Sequence, residues 1–149
     1  MISRILVATD GSAVAQKAVK YAIDLAGQTR AKVTILTVID DRALIAQYIP
    51  AEMSAIHLAQ PVEQYLKTAA QKYLGRAERL CEKSRVSCVG IIRNGSPVDE
   101  ILSEARKSKA DIIVLGSHGR GTIESAVLGS VTYGVIHKNS KYPVLVIRK

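Results

Sequence analysis

The chain carries at residues 110–121 the stretch ADIIVLGSHGRG, in which an apolar run leads directly into three glycines. The segment 110–115 predicts a strand, and its apolar run before Gly116 favours one that is buried on both faces of a parallel sheet. Glycine after such a strand lets backbone N–H groups approach an anion without a Cβ in the way. We therefore expect a strand followed by a phosphate-binding loop here.

The same alternation of apolar strands and helical stretches recurs on both sides of this segment. Further apolar runs predict strands at 5–8, 32–39, 86–92 and 143–147. Strands that alternate with helices indicate an α/β fold, in which helices cover both faces of a parallel sheet through right-handed crossovers. The first predicted helix starts after a cap at Ser12 and stops at Gly27, and the second spans about Val62 to Lys83. The third starts at Pro97, and the fourth runs through Val127 to His137.

Composition bounds the class of protein. The chain has 149 residues with 21 Lys+Arg and 13 Asp+Glu, a net charge of +8, and 48% hydrophobic residues. This length favours one domain, residues 1–149. No apolar run approaches the roughly 20 residues of a membrane span, and no signal-peptide pattern opens the chain, so we expect a cytoplasmic protein. Cys81 and Cys88 lack metal-ligand spacing and are expected to be buried thiols.

The glycines predict a phosphate site of a particular kind. Gly116 and Gly119 are followed by Gly129 and Ser130, which open or lie within the next helix. The N–H groups at a helix start favour anions, so loop and helix together can form a phosphate cradle. There is no GxxxxGK[ST] loop, and Glu124 stands where a dinucleotide fingerprint needs its third glycine. P-loop and NAD-type enzymes are therefore disfavoured.

The spacing G-x2-G-x9-G-S resembles the ATP-binding signature of the universal stress protein family. Residues 5–12, 37–40, 128–132 and 142–146 also resemble that family's segments, so the likeness spans the chain. The resemblance implies an open, Rossmann-like, five-stranded parallel sheet of order 3-2-1-4-5. It also implies bound ATP or another adenine nucleotide, with Mg²⁺ or Mn²⁺ held through the phosphates. A homodimer through the last strand, Val144–Ile147, and an unidentified protein partner are further implications.

The resemblance also implies roles for residues at the strand ends. Ala8 and Val38 would contact the base, and Asp10 would hold a ribose hydroxyl, the adenine edge or a metal through water. A helix cap is the alternative role for Asp10. We predict no catalytic residue and no direct metal ligand. The candidate nucleotide-binding residues are Ala8, Thr9, Asp10, Val38, Gly116, Ser117, His118, Gly119, Arg120, Gly121, Thr122, Gly129, Ser130, Val131 and Thr132.

Three functions remain open at this point. The leading hypothesis is an ATP-binding sensor or switch of a stress response. The second is slow ATP hydrolysis activated by a partner, with His118 as a proton-transfer group. The third is a basic module that binds a partner or nucleic acid without nucleotide, although Lys72, Arg76, Arg79 and Lys83 are expected to form a solvated face. The apolar segment Leu44–Leu58 could be a short helix, a lid or a partner contact.

Overall fold

The described residues form a five-stranded sheet in which all neighbouring strands are parallel. The structure, a computed structural model, describes residues 1–40, 55–120 and 127–149. The strand order is β3-β2-β1-β4-β5, which confirms the expected α/β class and topology. The strands are β1 (Arg4–Ala8), β2 (Lys32–Ile39), β3 (Cys88–Asn94), β4 (Ile112–Gly116) and β5 (Val144–Ile147).

Helices cover both faces of this sheet and divide the core into two layers. They are α1 (Ala13–Thr29), α2 (Ala55–Ser84), α3 (Pro97–Lys107) and α4 (Ser130–Lys138). The side chains of β1 alternate between them: Ile5 and Val7 pack with α1 and α2, whereas Leu6 packs with α3 and α4. A strand that is apolar on both faces must be covered by helices on both sides. The sequence of β1 therefore accounts for the helix–sheet–helix arrangement in three layers.

Helix α1 begins as predicted and ends later than predicted. The Ser12 hydroxyl accepts a hydrogen bond from the Ala15 N–H at 3.3 Å, which confirms the expected cap. The predicted stop at Gly27 is wrong, because the helix continues to Thr29. Arg30 ends it in the left-handed region, at φ 59°, and its N–H bonds to a carbonyl of the last turn. A non-glycine residue thus takes the conformation that glycine usually supplies.

Two other helix starts differ from the prediction. Helix α2 begins at Ala55 and passes through Pro61, which lacks a backbone N–H but does not end the helix. Helix α4 begins at Ser130 with Gly129 as its cap, so the expected helical conformation at Val127 is wrong, and Gly129 and Ser130 open the helix. Within the Leu44–Leu58 segment, residues 55–58 begin α2, and the rest lies outside the described residues.

The start of β1 is held by a carboxylate that directly precedes the neighbouring strand, β4. Asp111 Oδ2 accepts hydrogen bonds from the backbone N–H groups of Ser3, at 2.8 Å, and Arg4, at 2.9 Å. These bonds favour the ionised carboxylate and hold the pKa of Asp111 below its usual value of 3.8. The side chain that precedes β4 therefore helps to fix β1 beside it.

The two cysteines differ in burial. Cys81, on α2, is 1% exposed and belongs to the core, whereas Cys88 at the start of β3 is half-buried. Burial, and then the hydrogen bond that the Cys81 thiol makes with Cys88, raise the pKa of Cys81 to about 12. The expectation of two buried thiols therefore holds fully for Cys81 alone. No helix in the described ranges is long and apolar enough to cross a membrane.

Candidate functional site

A cleft lies at the carboxyl edge of the sheet, where the central strands end. Its volume is about 200 Å³. In open parallel sheets this edge, at the point where the strand order reverses, is where ligands bind. The described residues that line the cleft are Ala8, Thr9, Asp10, Ala15, Val38, Pro97, Ile101, Leu115, Gly116, His118, Gly119, Arg120, Gly129, Ser130, Val131 and Thr132.

Asp10 ties together two loops that are far apart in the chain. Its Oδ1 accepts a hydrogen bond from the Ser12 N–H at 2.9 Å, and its Oδ2 accepts one from the Arg120 N–H at 2.8 Å. Helix α1 already has its cap in Ser12. Asp10 is therefore a bridge between the turn after β1 and the loop after β4.

The ends of β1 and β2 form one wall of the cleft. Thr9 is buried, and its Oγ1 accepts a hydrogen bond from the Gly11 N–H at 3.2 Å. The Thr9 carbonyl accepts a bond from the Thr37 hydroxyl at 3.0 Å, which locks the two strand ends together. Ala8 and Val38 are half-buried on this wall, next to the α3 layer of the core. Small apolar side chains on a rigid wall of this kind could pack against a flat ring of a ligand.

Three glycines allow the loops to approach closely. A Cβ on Gly116 would lie 3.0 Å from a Val14 methyl group and 3.2 Å from the Ala15 nitrogen. A Cβ on Gly119 would lie 2.6 Å from Asp10 Oδ2, and one on Gly129 would lie 3.3 Å from the His118 Cα. A Cβ on Gly119 would displace the Asp10 carboxylate, and a Cβ on Gly116 or Gly129 would require neighbouring atoms to shift by a few tenths of an ångström, so all three positions favour glycine.

The first turn of α4 points its N–H groups toward this loop. Helix geometry leaves the N–H groups of Ser130, Val131 and Thr132 without an acceptor inside the helix. The first turn contains no acidic residue, and its cap, Gly129, supplies no side-chain bond. The Thr132 hydroxyl donates to the Gly116 carbonyl at 2.7 Å and so anchors the turn to the end of β4. The cleft thus contains a fixed, electropositive helix start.

The loop after β4 places its polar side chains in different directions. Ser117 is 1% exposed and does not line the cleft; its Oγ lies 2.9 Å from His118 Nδ1. Its carbonyl accepts a hydrogen bond from the Gly129 N–H at 2.7 Å. The Arg120 guanidinium lies over the ring of Tyr73, a residue of α2, at 5.2 Å from the ring centroid. Ser117 is therefore a structural link, and Arg120 is oriented by an aromatic ring.

Most of the predicted residues meet in the cleft. Ser117 is the described exception, and Gly121 and Thr122 lie outside the described residues. Sequence reasoning missed four lining residues. Pro97 and Ile101 are one turn apart at the start of α3, a spacing that could have indicated them once that helix was placed beside β2. The missed lining residues are Ala15, Pro97, Ile101 and Leu115.

The cleft offers hydrogen-bond donors and apolar contact more than metal ligands. Within residues 1–40, 55–120 and 127–149, no group of three or more His, Cys, Asp or Glu side chains could hold a metal ion. Both oxygens of Asp10 already accept backbone hydrogen bonds. The arrangement therefore suits an anion with a flat apolar part, since backbone N–H groups bind phosphate without a cationic side chain.

Comparison with known protein sequences gives a consistent result. Residues 1–148 match the model described as the universal stress protein family. Universal stress protein MJ0531 of Methanocaldococcus jannaschii is 35% identical over 149 residues, which cover 100% of this chain and 84% of that protein.

Solved structures show the same likeness in three dimensions. The structure of protein MJ0577 of M. jannaschii matches with a TM-score of 0.84 and 31% identity, and the match covers 100% of this chain and 97% of that one. A universal stress protein solved in complex with cAMP matches with a TM-score of 0.65 and 27% identity, over 98% of this chain and 96% of that one.

Proposed function

The chain belongs to the universal stress protein family, and we propose that it binds an adenine nucleotide, ATP above all, in the cleft at the carboxyl edge. We further propose that residues 1–149 act as one nucleotide-dependent sensor or switch in a stress response. The observation that carries this proposal is the meeting of the glycine loop, the start of α4 and the apolar end of β2 in one cleft. The complex of a related protein with cAMP supports the choice of an adenine nucleotide.

The lining residues divide into a base side and a phosphate side. Ala8 and Val38 would contact the adenine, and Asp10, between the two sides, would face the ribose. The backbone N–H groups of the loop 116–120 and of residues 130–132 would hold the phosphates. The cavity of about 200 Å³ is smaller than the roughly 300–1,000 Å³ of typical ligand pockets, so the phosphates would extend along α4 toward solvent.

A divalent cation fits this scheme only through the phosphates. The Asp10 carboxylate is held by two N–H groups, so it would meet a cation through water if at all. Mg²⁺ keeps several waters and binds readily through phosphate oxygens, which needs no protein cage. We therefore propose Mg²⁺ or Mn²⁺ as a companion of the nucleotide, without a dedicated protein site.

We propose binding as the main role of the site and treat the loop histidine as a candidate proton-transfer group for slow hydrolysis. His118 Nδ1 is already 2.9 Å from Ser117 Oγ, a buried hydroxyl that is itself part of the loop packing. A base that activates water must reach that water in a fixed geometry. We propose that hydrolysis, if a partner induces it, is slow, and that the bound nucleotide is the signal.

Release and identification of the bound ligand tests this proposal first. Heat-denatured purified protein is expected to release an adenine nucleotide that mass spectrometry identifies. The ligand-free protein is expected to melt at a higher temperature when ATP is added, since a ligand that binds the native state stabilises it. Absence of both effects would overturn the proposal. Strong, salt-sensitive binding to generic DNA would instead favour a nucleic-acid module.

A pair of substitutions at the helix start separates binding from folding. Ser130→Asp puts a negative charge at the first residue of α4, which stabilises the helix by about 0.3–1 kcal/mol. The same charge repels a phosphate by roughly 3 kcal/mol per charge at about 5 Å and an effective dielectric constant of about 20. We expect Ser130→Asp to fold normally and to bind ATP more than tenfold more weakly. Ser130→Asn introduces a side chain of the same size as aspartate but without its charge, and it is expected to retain most of the affinity for ATP.

We also propose a homodimer through β5. The carbonyls of Pro143 and Ile147 accept hydrogen bonds from the β4 side, so the polar groups of Val144 and Val146 face the open edge of the sheet. An unpaired edge of this kind favours pairing with a second strand. Val146→Pro removes one outward N–H and keeps the pairing with β4. Sedimentation should show a dimer that this substitution converts to monomer; a monomeric parent protein would refute the proposal.

A further inference from the structure

A second cavity, of about 390 Å³, lies between α1 and α2. It shares Thr9 with the nucleotide cleft, but its helical walls belong to the opposite face of the sheet. The nucleotide cleft takes its helical wall mainly from the first turns of α3 and α4. The second cavity is therefore a separate space, and its volume falls within the roughly 300–1,000 Å³ of ligand pockets.

The floor of the second cavity is apolar. Val19 of α1 and Ala77 of α2 are 4% and 5% exposed, and Leu80, one turn beyond Ala77 on α2, is half-buried. Gly11 and Tyr73 close the end next to the β1–α1 turn. An apolar floor of this kind favours a hydrocarbon or a ring over a fully hydrated ion.

The rim of the second cavity is cationic. Lys17 and Lys20 of α1 and Arg76 of α2 line it, and all three are exposed. No acidic residue is present among the described lining residues. The nearest acid along α2, Glu78, points to β3, where its Oε1 lies 2.6 Å from the position of a Cβ on Gly90. The positive charge at this rim is thus not balanced within the cavity.

We propose that this second cavity binds a small organic anion with an apolar body, such as a carboxylate on a hydrocarbon chain. The chain would lie on Val19, Ala77 and Leu80, and the carboxylate would meet Lys20 and Arg76. Charge-assisted hydrogen bonds to a carboxylate are stronger than neutral ones, which gives the rim its selectivity. A polymer such as nucleic acid would follow the exposed basic stripe of α2 and would gain little from an enclosed apolar floor.

Titration with octanoate, followed by the amide resonances of isotopically labelled protein, tests the proposal. We expect saturable shifts confined to residues 16–20 and 73–80. Octanol, which has the same chain without the charge, is expected to bind at least about tenfold more weakly, and inorganic phosphate is expected to cause no saturable shift there. Saturating ATP should leave the octanoate affinity unchanged, so the result stands whether or not the nucleotide cleft binds ATP.

Charge reversals on exposed positions supply the matched comparison. Lys20→Glu combined with Arg76→Glu is expected to lower octanoate affinity at least tenfold, and the neutral pair Lys20→Gln with Arg76→Gln should lower it less. Arg79→Glu combined with Lys83→Glu makes the same change of charge on α2 outside the cavity and should leave binding intact. The proposal is overturned if octanol binds as tightly as octanoate, or if ATP displaces octanoate. It is also overturned if the Arg79→Glu and Lys83→Glu pair loses as much octanoate affinity as the Lys20→Glu and Arg76→Glu pair, or if octanoate causes no saturable shift.

Discussion

Gly11, in the turn that carries Asp10, packs so closely against α2 that it cannot be replaced without cost. Its φ is +78°, and a Cβ there would lie 2.2 Å from Cε1 of the Tyr73 ring. Gly11→Ala therefore faces a left-handed backbone penalty of about 1–2 kcal/mol. Displacement of the ring adds about 1–3 kcal/mol of overpacking. We expect the free energy of unfolding to fall by about 2–5 kcal/mol in total.

A double-mutant cycle separates these two contributions. In a Tyr73→Ala background the ring is absent, so Gly11→Ala should cost only the backbone part, about 1–2 kcal/mol. The difference between the two costs is the packing part, expected to be about 1–3 kcal/mol. Urea unfolding followed by far-ultraviolet circular dichroism, in the absence of nucleotide, measures all four proteins.

Substitution of a second glycine is a control that should change the free energy of unfolding in the opposite direction. Gly27 lies in the last turn of α1, it is exposed, and a Cβ there would lie no closer than 4.0 Å to Val86. Gly27→Ala should therefore stabilise the protein by up to about 0.5–1 kcal/mol, the value for a helix interior. Equal costs of Gly11→Ala with and without the Tyr73 ring would refute the packing argument. A cost below about 1 kcal/mol in the parent protein would refute the backbone argument as well.

Three further predictions concern single side chains. Thr132→Val leaves the Gly116 carbonyl without its hydroxyl donor and should lower the free energy of unfolding by about 1–3 kcal/mol, whereas Thr132→Ser should restore most of it; equal melting of both variants would contradict this. Because the pKa of Asp111 is lowered in the folded state, its contribution is present above the usual value of 3.8 and lost as the pH falls through the folded pKa. Asp111→Asn should thus flatten the fall in stability between about pH 5 and pH 2, and an unchanged slope would exclude the mechanism. With its pKa raised to about 12, the Cys81 thiol should be alkylated at neutral pH only as fast as the protein unfolds, while Cys88 reacts sooner; mass spectrometry of partly labelled protein checks the order.

The strands were more predictable from sequence than the helix ends. The predicted strand at 32–39 coincides with β2, because β-branched and apolar residues dominate a strand that is covered on both faces. Gly27 looked like a stop, yet the chain ends α1 with Arg30 in the left-handed conformation. Helix α2 was expected to start at about Val62, yet it begins at Ala55 and passes through Pro61. Helix ends depend on local backbone energies of about 1 kcal/mol, which packing against the sheet readily overrides.

The lining residues of the glycine loop were predictable from the sequence, whereas the lining residues that helix α3 contributes were not. Gly116, Gly119 and Gly129 pointed to the loop because close approach of backbones requires them. Pro97 and Ile101 were missed, since the turn of α3 that faces the cleft depends on how that helix packs. The burial of Ser117 was missed for a similar reason: only the folded loop turns its side chain inward.

The bridge from Asp10 to Arg120 joins positions 110 residues apart and has a consequence for synthesis. A growing chain on the ribosome contains β1, α1 and β2 long before the glycine loop and α4 are made. The edge of the cleft that contains Asp10 therefore remains incomplete until the last third of the chain has been translated and β4 has paired with β1. Under the proposed function, nucleotide in the cell would stabilise only finished molecules, and a truncated product that lacks the last third would gain no stability from it.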